Sequence, residues 1–139
     1  MSWPKVELIQ LADTGDQRGS SFPLGSEWVN FIGRAVDCHV MTVKPGQVRG
    51  NHYHANKREI LIVMYKDRWS LCWDTGPATQ IERRTLTGSG AAMVRVEPLA
   101  SHAIVNEGGV DLFVMALCSE PYDPSAPDSF RRTVAASCP

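Results

Sequence analysis

Short apolar runs of about four to eight residues recur along most of this 139-residue chain, with glycine, proline, aspartate or asparagine between them. The runs are rich in β-branched and aromatic residues, and no stretch carries a convincing apolar stripe at the period of a helix. Strands are predicted at residues 6–11, 36–43, 48–54, 60–65, 69–73, 80–85, 92–96, 103–105 and 112–118. Many short strands at such spacing pack as a sandwich or barrel, so the pattern predicts an all-β fold.

Length and composition indicate one globular domain. A chain of 139 residues can bury a sizeable core without disulfides, so residues 1–139 are expected to fold as a single unit. Residues 1–28 are predicted to form an N-terminal strand and loop, and the proline-rich residues 120–139 an extended C-terminal arm. A net charge of −1 gives no reason to bind nucleic acid. Without a long apolar run or a signal peptide, the protein is expected to be cytoplasmic, with no membrane contact.

Two of the predicted strands are apolar on both faces. Residues 60–65 read ILIVMY and residues 112–118 read LFVMALC, whereas a strand with one solvated face would alternate with polar residues. Such strands either lie in the middle of a sheet or are covered by another subunit. We therefore expect a homodimer.

Three histidines and one glutamate have the order and spacing of a metal site. His52 and His54 are two residues apart and project from one face of a strand, and Glu59 follows a short polar segment that can turn the chain back beside them. His102 must then arrive by tertiary folding. Zinc, iron, manganese and nickel all accept imidazole and carboxylate ligands, and we expect one divalent ion, with zinc first. Without a metal, His52 or His54 would be free to act as a general base.

If these histidines bind a metal, they cannot also accept a proton, so the site needs a separate proton donor or acceptor. Tyr65 is one candidate because it has the same strand parity as Glu59. His39 is the other, and its alternative role is that of a structural or pocket-lining residue.

Several cations are candidates for binding the substrate. Lys57 and Arg58 lie between the ligands, and Arg18 belongs to the polar loop 16–19. Strand alternation is expected to turn Arg49 away from the face that carries His52.

The ligand pattern resembles the two motifs of the cupin superfamily. GNHYH at residues 50–54, Glu59, and the distant His102 followed by Asn106 have the order of the cupin metal ligands. The resemblance implies a cupin double-stranded β-helix, a jelly-roll-like barrel or sandwich that holds one divalent metal. Two positions depart from the pattern: Lys66 stands where a glycine is expected, and the Pro-x-Gly before the last histidine is replaced by a displaced Pro98 with no glycine.

Two longer segments are similar to a narrower group of cupins. KPGQVRGNHYHANKRE at residues 44–59 and SEPYDPSAPDSF at residues 119–130 resemble the C-terminal cupin domain of bifunctional enzymes of capsular polysaccharide synthesis. That likeness implies a nucleotide-sugar isomerase or epimerase in polysaccharide biosynthesis, acting on a 4-keto-6-deoxy sugar. The ligand set alone also suits a non-haem iron dioxygenase of small molecules. A non-catalytic cupin that only binds or senses a ligand is the third alternative.

Overall fold

The computed structural model of this chain describes residues 4–136. Their elements are, in order, β1 (Val6–Gln10), α1 (Glu27–Ile32), β2 (Asp37–Val43), β3 (Val48–Tyr53), β4 (Glu59–Tyr65), β5 (Trp69–Trp73), β6 (Glu82–Leu86), β7 (Gly90–Val96), β8 (His102–Asn106), β9 (Leu112–Cys118) and β10 (Phe130–Arg131). Each predicted strand coincides with an observed strand to within two residues at either end. The all-β prediction is therefore confirmed. Among these residues, no helix has the length and apolar character needed to cross a bilayer.

The strands form two antiparallel sheets that face each other. One sheet has the order β1-β7-β4-β9-β2 and the other β10-β3-β8-β5-β6. From β2 onward, the chain crosses between the sheets at nearly every connection, which builds a jelly-roll sandwich. The facing sides bury one apolar core, to which the first sheet contributes Leu61 and Val94 and the second Leu71 and Ile104.

The two strands that are apolar on both faces are internal strands of the first sheet. β4 lies between β7 and β9, and β9 lies between β4 and the edge strand β2. Part of the outer face of this sheet is covered, but Val40, Met64 and Phe113 remain exposed on it. The sequence allows either central placement or cover by a second subunit, and central placement accounts for most of the pattern.

A short helix, which was not predicted, covers part of that outer face. Helix α1 lies at the end of the segment expected to be loop, and it packs Phe31 and Ile32 against Ile60 of β4 and Met93 of β7. The helix has six residues, fewer than two turns, so its apolar positions cannot show a helical period in the sequence.

The two departures from the cupin pattern fall in turns that nevertheless form. After β4, the carboxylate of Asp67 closes the turn by accepting the N–H groups of Arg68 and Gly109, at 2.8 and 2.9 Å. Before β8, Leu99 has a φ of 72°, a left-handed conformation that favours glycine and costs a leucine about 1–2 kcal/mol. The N–H of Leu99 donates to the carbonyl of His54 at 2.7 Å, so the turn is held against the predicted metal ligands.

Candidate metal centre

The four predicted ligand residues converge at one place in the sandwich. His52 and His54 come from the end of β3, Glu59 begins β4 and His102 begins β8. One potential ligand atom from each residue lies within 4.8 Å of all the others. The centre of the His52 ring lies 5.0 Å from the centre of the His54 ring and 5.0 Å from the centre of the His102 ring. The sequence therefore located the cluster correctly, while metal binding itself stays a prediction.

A β-bulge in β3 brings His52 beside His102. The register between β3 and β8 shifts between Gly50 and His52, where Asn51 has a φ of 58°. A Cβ atom at Gly50 would lie 2.5 Å from the carbonyl oxygen of His102, so only glycine lets β3 pass so close to β8. The bulge therefore depends on two residues that accept unusual backbone angles.

The bulge also explains why the expectation for Arg49 was wrong. Residues 49 and 52 would face opposite sides of a regular strand, but the extra residue in the bulge reverses the alternation between them. Arg49 and His52 both line the cavity above the cluster. The Nε–H of Arg49 donates to the carbonyl of Thr42 at 2.8 Å.

One buried nitrogen of the cluster has no hydrogen-bond partner. His54 Nε2 lies 3.4 Å from Glu59 Oε2 but makes no hydrogen bond, whereas its other ring nitrogen, Nδ1, lies 2.5 Å from the carbonyl oxygen of Asp128. His102 Nε2 lies 3.0 Å from Glu59 Oε1. A buried polar atom without a partner is unfavourable unless a ligand satisfies it. The donor set of three imidazoles and one carboxylate around such an atom fits a divalent metal ion.

The environment of the cluster moves the pKa values of its members in different directions. Burial, reinforced by the charges of His102 and His54, lowers the pKa of His52 to about 4. Burial opposes ionisation of Glu59, but its contacts with His102 and His54 outweigh this and hold its pKa well below the usual range. Burial also opposes protonation of His54, yet Glu59 raises the pKa of His54 overall. At neutral pH, His52 and Glu59 are therefore in the protonation states that a metal requires.

A cavity of about 230 Å³ opens above the cluster. Its walls include Met41, Leu61, Ile104 and Val114, with His39, Arg49, Lys57, Tyr122 and Ser129 among its polar and aromatic lining residues. His39 lies on the inner side of edge strand β2, in the row that continues through Ala116 to Leu61. Lys57 is only 7% exposed, although it is charged. The structure thus brings two of the predicted residues, His39 and Lys57, to the cavity above the cluster.

Tyr65 lies elsewhere, contrary to the expectation that it faces this cavity. It shares the inward parity of Glu59 but lies six residues further along β4, about 20 Å away at ~3.3 Å per residue. Its ring packs against Trp69, and its hydroxyl accepts a hydrogen bond from Gln10 Nε2 at 3.3 Å. A Cβ atom at Gly90 would lie 2.8 Å from that hydroxyl. Tyr65 is therefore a core residue at the far end of the sandwich.

The predicted cations Arg18 and Arg58 also lie outside the cavity lining. Arg18 is exposed and pairs with Asp16 at 2.7 Å within its own turn. Arg58 pairs with Glu97 at 3.2 Å and donates to the carbonyl of Phe31. Lys57, next to Arg58 in sequence, is the one that reaches the cavity because the backbone at residues 55–57 is held by Asp128.

Sequence reasoning missed the contribution of the C-terminal arm to the site. Tyr122 and Ser129 line the cavity, and Asp128 contacts both the loop at residues 55–57 and His54. The proline-rich composition of the arm indicated an extended segment but not its path. Its short strand β10 pairs with β3, which carries the arm past the cluster.

The jelly-roll sandwich and the His52, His54, Glu59 and His102 cluster between its strands define a cupin. The chain belongs to the family described as the polysaccharide biosynthesis C-terminal domain, whose model matches residues 14–130. It is 34% identical over 98 residues to a UDP-2-acetamido-2,6-beta-L-arabino-hexul-4-ose reductase from Pseudomonas aeruginosa. That match takes in 67% of this chain but only 25% of the relative, so the chain spans about a quarter of the length of that relative.

Solved structures share the fold. A mutant of the 3,4-ketoisomerase QdtA from Thermoanaerobacterium thermosaccharolyticum matches with a TM-score of 0.69 and 20% identity, over 94% of this chain and 90% of QdtA. The capsular polysaccharide assembling protein CapF from Staphylococcus aureus matches with a TM-score of 0.64 and 24% identity, over 96% of this chain and 35% of CapF. The rmlC epimerase of Mycobacterium tuberculosis has a TM-score of 0.69 and 18% identity, over 90% of this chain and 68% of the epimerase. These likenesses confirm the predicted jelly-roll.

Proposed function

We propose that this chain is a metal-dependent isomerase or epimerase of a nucleotide-linked 4-keto-6-deoxy sugar in polysaccharide biosynthesis. The observation that carries the proposal is the convergence of four ligand side chains, one with an unsatisfied buried nitrogen, beneath a cavity. Family membership supports the biosynthetic setting. The named relatives support the substrate class, since one is a reductase of a UDP-linked sugar and QdtA was solved with TDP-4-keto-6-deoxyglucose.

In this proposal His52, His54, Glu59 and His102 hold one divalent ion, zinc first, with iron, manganese or nickel as alternatives. When bound, the ion would polarise the sugar carbonyl and stabilise the negative charge that develops when the neighbouring C–H bond loses its proton. The histidines that give a lone pair to the metal cannot also accept that proton. A different side chain of the cavity is required for proton transfer.

His39 is the residue best suited to that role. It lines the cavity from β2, is solvent-exposed and belongs to none of the ligand positions. An imidazole can accept and return a proton near neutral pH, which is what moving a proton between neighbouring carbons requires. We assign proton transfer to His39 and a packing role to Tyr65.

The remaining lining residues suit the two chemically different parts of a nucleotide-linked sugar. The apolar walls formed by Met41, Leu61 and Val114 can contact the deoxygenated carbon of the sugar, while Arg49 and Lys57 supply positive charge for the diphosphate. A volume of about 230 Å³ accommodates a sugar but not a whole nucleotide, so the nucleoside would lie at the mouth, near exposed Tyr122.

The test has two measurements. Protein purified without a chelator or histidine tag should carry close to one divalent ion per chain by elemental analysis. Incubation with UDP- or dTDP-linked 4-keto-6-deoxyhexoses in heavy water should place deuterium on the carbon beside the carbonyl, and His39→Asn should slow this exchange by roughly 10²- to 10⁴-fold while keeping the metal. Glu59→Gln should lose both.

Two results would overturn the proposal. The first is a protein that contains no metal and shows no thermal shift with zinc, manganese, nickel or iron(II). The second is a metal-loaded protein that incorporates no deuterium into any keto sugar but consumes oxygen with iron(II) and a small-molecule substrate. This result would assign the protein to the dioxygenases.

A further inference from the structure

One residue of the C-terminal arm contacts the metal cluster and the adjacent loop at once. The carboxylate of Asp128 accepts the N–H of Ala55 at 2.7 Å and the N–H groups of Asn56 and Lys57 at 3.0 Å each. Its carbonyl oxygen lies 2.5 Å from Nδ1 of His54. Both polar groups of Asp128 are therefore directed at the segment that begins with a predicted ligand.

The carbonyl contact fixes which nitrogen of His54 carries the hydrogen. A carbonyl oxygen can only accept, so Nδ1 must be the donor. A neutral imidazole has a single N–H, and Nε2 therefore keeps its lone pair, which lies on the side of Glu59 and the cluster. The equivalent contact of His102, from Nδ1 to the carbonyl of Ala100, is longer, at 3.3 Å. The backbone contact that orients the ring is thus shorter for His54 than for His102.

The carboxylate contacts fix the backbone between two ligands. Three consecutive N–H groups point at one carboxylate, and hydrogen bonds to an ionised acceptor are stronger than neutral ones. The last of these groups belongs to Lys57, whose side chain lines the cavity. Asp128 therefore holds in place both a ligand and a cation of the cavity wall.

The arm is held to the sandwich at points that do not involve this loop. Arg132 pairs with Asp74 at 2.6 Å, its backbone N–H donates to the carbonyl of Asn51, and its carbonyl accepts a hydrogen bond from Ser101. Because these anchors fix the arm independently, the position of Asp128 is set by the sandwich and not by the loop that it contacts.

We propose that Asp128 is a positioning residue of the metal centre, which sets the tautomer of His54 through its carbonyl and holds residues 55–57 through its carboxylate. The consequence for metal affinity rests on the proposed function, because it requires that the cluster binds a metal. The consequence for the tautomer does not, since it is a property of the protein without metal.

The first measurement is the tautomer. In metal-free protein with ¹⁵N-labelled histidine at alkaline pH, where imidazoles are neutral, His54 should carry its hydrogen on Nδ1. Asp128→Ala keeps the backbone carbonyl but releases residues 55–57, so His54 can move away from that carbonyl and a mixture of both tautomers is expected. Asp128→Asn keeps one acceptor oxygen, so it should fold and give a fraction of the Nδ1–H tautomer between those of wild type and Asp128→Ala. Asp123→Ala is the matched control, because Asp123 lies in the same arm and accepts hydrogen bonds from Ser125 instead of the loop.

The second measurement is cobalt(II) binding, followed by its visible absorption. Loss of a residue that orients a ligand typically weakens metal binding 10- to 100-fold. We expect this loss, with an altered absorption spectrum, in Asp128→Ala, a smaller loss in Asp128→Asn, and none in Asp123→Ala. Should Asp128→Ala fail to fold, Asp128→Asn decides the outcome against the same control.

The results separate the two proposals. Wild-type protein that binds no cobalt(II) but shows a tautomer dependent on Asp128 contradicts the metal function and keeps the positioning role. The positioning role is overturned if variants at Asp128 keep the tautomer and bind cobalt(II) with an affinity within about threefold of wild type. A threefold change is well below the effect expected for a residue that orients a ligand.

Discussion

Arg132 and Asp74 form a two-point ion pair that joins the C-terminal arm to the segment after β5. Arg132 Nε lies 2.8 Å from one carboxylate oxygen of Asp74, and a terminal guanidinium nitrogen lies 2.6 Å from the other. Asp74 is only 4% exposed and also accepts the N–H of Ser101, next to His102. One buried carboxylate therefore links the arm that carries Asp128 to the strand that carries a predicted ligand.

Removing this carboxylate should destabilise the whole sandwich. Asp74→Ala leaves Arg132 without its partner in a mostly buried place, and breaking such a pair costs about 3 kcal/mol. Urea unfolding at neutral pH measures the loss. Asp16→Ala, which breaks an exposed pair with Arg18, should have no measurable effect. Equal stability of Asp74→Ala and wild type would show that the arm is held by its other contacts.

The same pair gives stability a defined dependence on pH. Burial opposes ionisation of Asp74, but the hydrogen bonds of Arg132 outweigh it and lower its pKa below the unfolded value of ~3.9. The stabilisation is therefore complete above about pH 4 and is lost as pH falls through the folded pKa. We expect unfolding curves of Asp74→Ala to change less between about pH 4 and 2 than those of wild type. Parallel curves would contradict the assignment.

Leu99→Gly should stabilise the protein. Leu99 has a left-handed φ of 72° and a side chain that is 50% exposed, so glycine relieves strain and loses little buried area. The gain should be about 1 kcal/mol, because the greater freedom of unfolded glycine offsets part of the relief. Thermal unfolding measures it, with Leu99→Ala as the control that removes the side chain but keeps the strain. A loss of stability in Leu99→Gly would mean that the leucine contributes by packing.

Tyr65→Phe should keep both the metal and the isotope exchange proposed for this chain. The hydroxyl contacts Gln10 and lies far from the cluster, so its loss removes only one hydrogen bond, worth about 1 kcal/mol. Exchange in heavy water compares this variant with His39→Asn, which should be slow. If Tyr65→Phe retains the metal but incorporates deuterium slowly, Tyr65 is the acid or base after all.

Metal affinity should fall as pH falls. Burial opposes protonation of His54, but Glu59 outweighs it and raises the pKa of His54, so a proton competes with the metal for this nitrogen, whereas His52 has a pKa of about 4. Below the pKa of His54, we expect affinity to fall about tenfold per pH unit, with release of one proton on binding. Calorimetry in two buffers of different ionisation enthalpy counts the proton. His39→Asn should show the same slope, and a flat pH profile would contradict competition at His54.

Homodimer formation remains a prediction. Val40 is 76% exposed and Phe113 60% exposed, and both lie on the outer face of the first sheet, close to the unpaired edge of β2. An exposed apolar surface beside a free edge favours association with a second copy. Light scattering at micromolar concentration should give the mass of a dimer, and Phe113→Glu should give a monomer. Tyr122→Glu, an exposed aromatic residue of the arm, is the control, and a monomeric wild type would contradict the prediction.

The strands and most of the candidate ligand set could be predicted from the sequence because both depend on local order. Alternation and turn residues fixed strand positions such as Trp69–Trp73 without any long-range information. His52, His54 and Glu59 lie within eight positions of one another, so the short connection from β3 to β4 brings them together across the two sheets. His102 was identifiable from the chemistry that the other three require and from its place in the cupin pattern. Helix α1 was not identifiable, because a helix of six residues is determined by what it packs against.

Only the tertiary structure decided which other residues surround those ligands. Parity along a regular strand predicted that Arg49 faces away from the site, but the bulge at Asn51 turns it towards the cavity. Parity also predicted that Tyr65 faces the site, but Tyr65 lies too far along β4 to reach it. Asp128 is 74 positions from His54, and no pattern relates the two. The sequence by itself determined the strands and the candidate metal-ligand set, since these follow from local periodicity and side-chain chemistry. The cavity and the orientation of its ligands depend on a bulge and on a docked arm, whose positions are set by contacts between residues far apart in the chain.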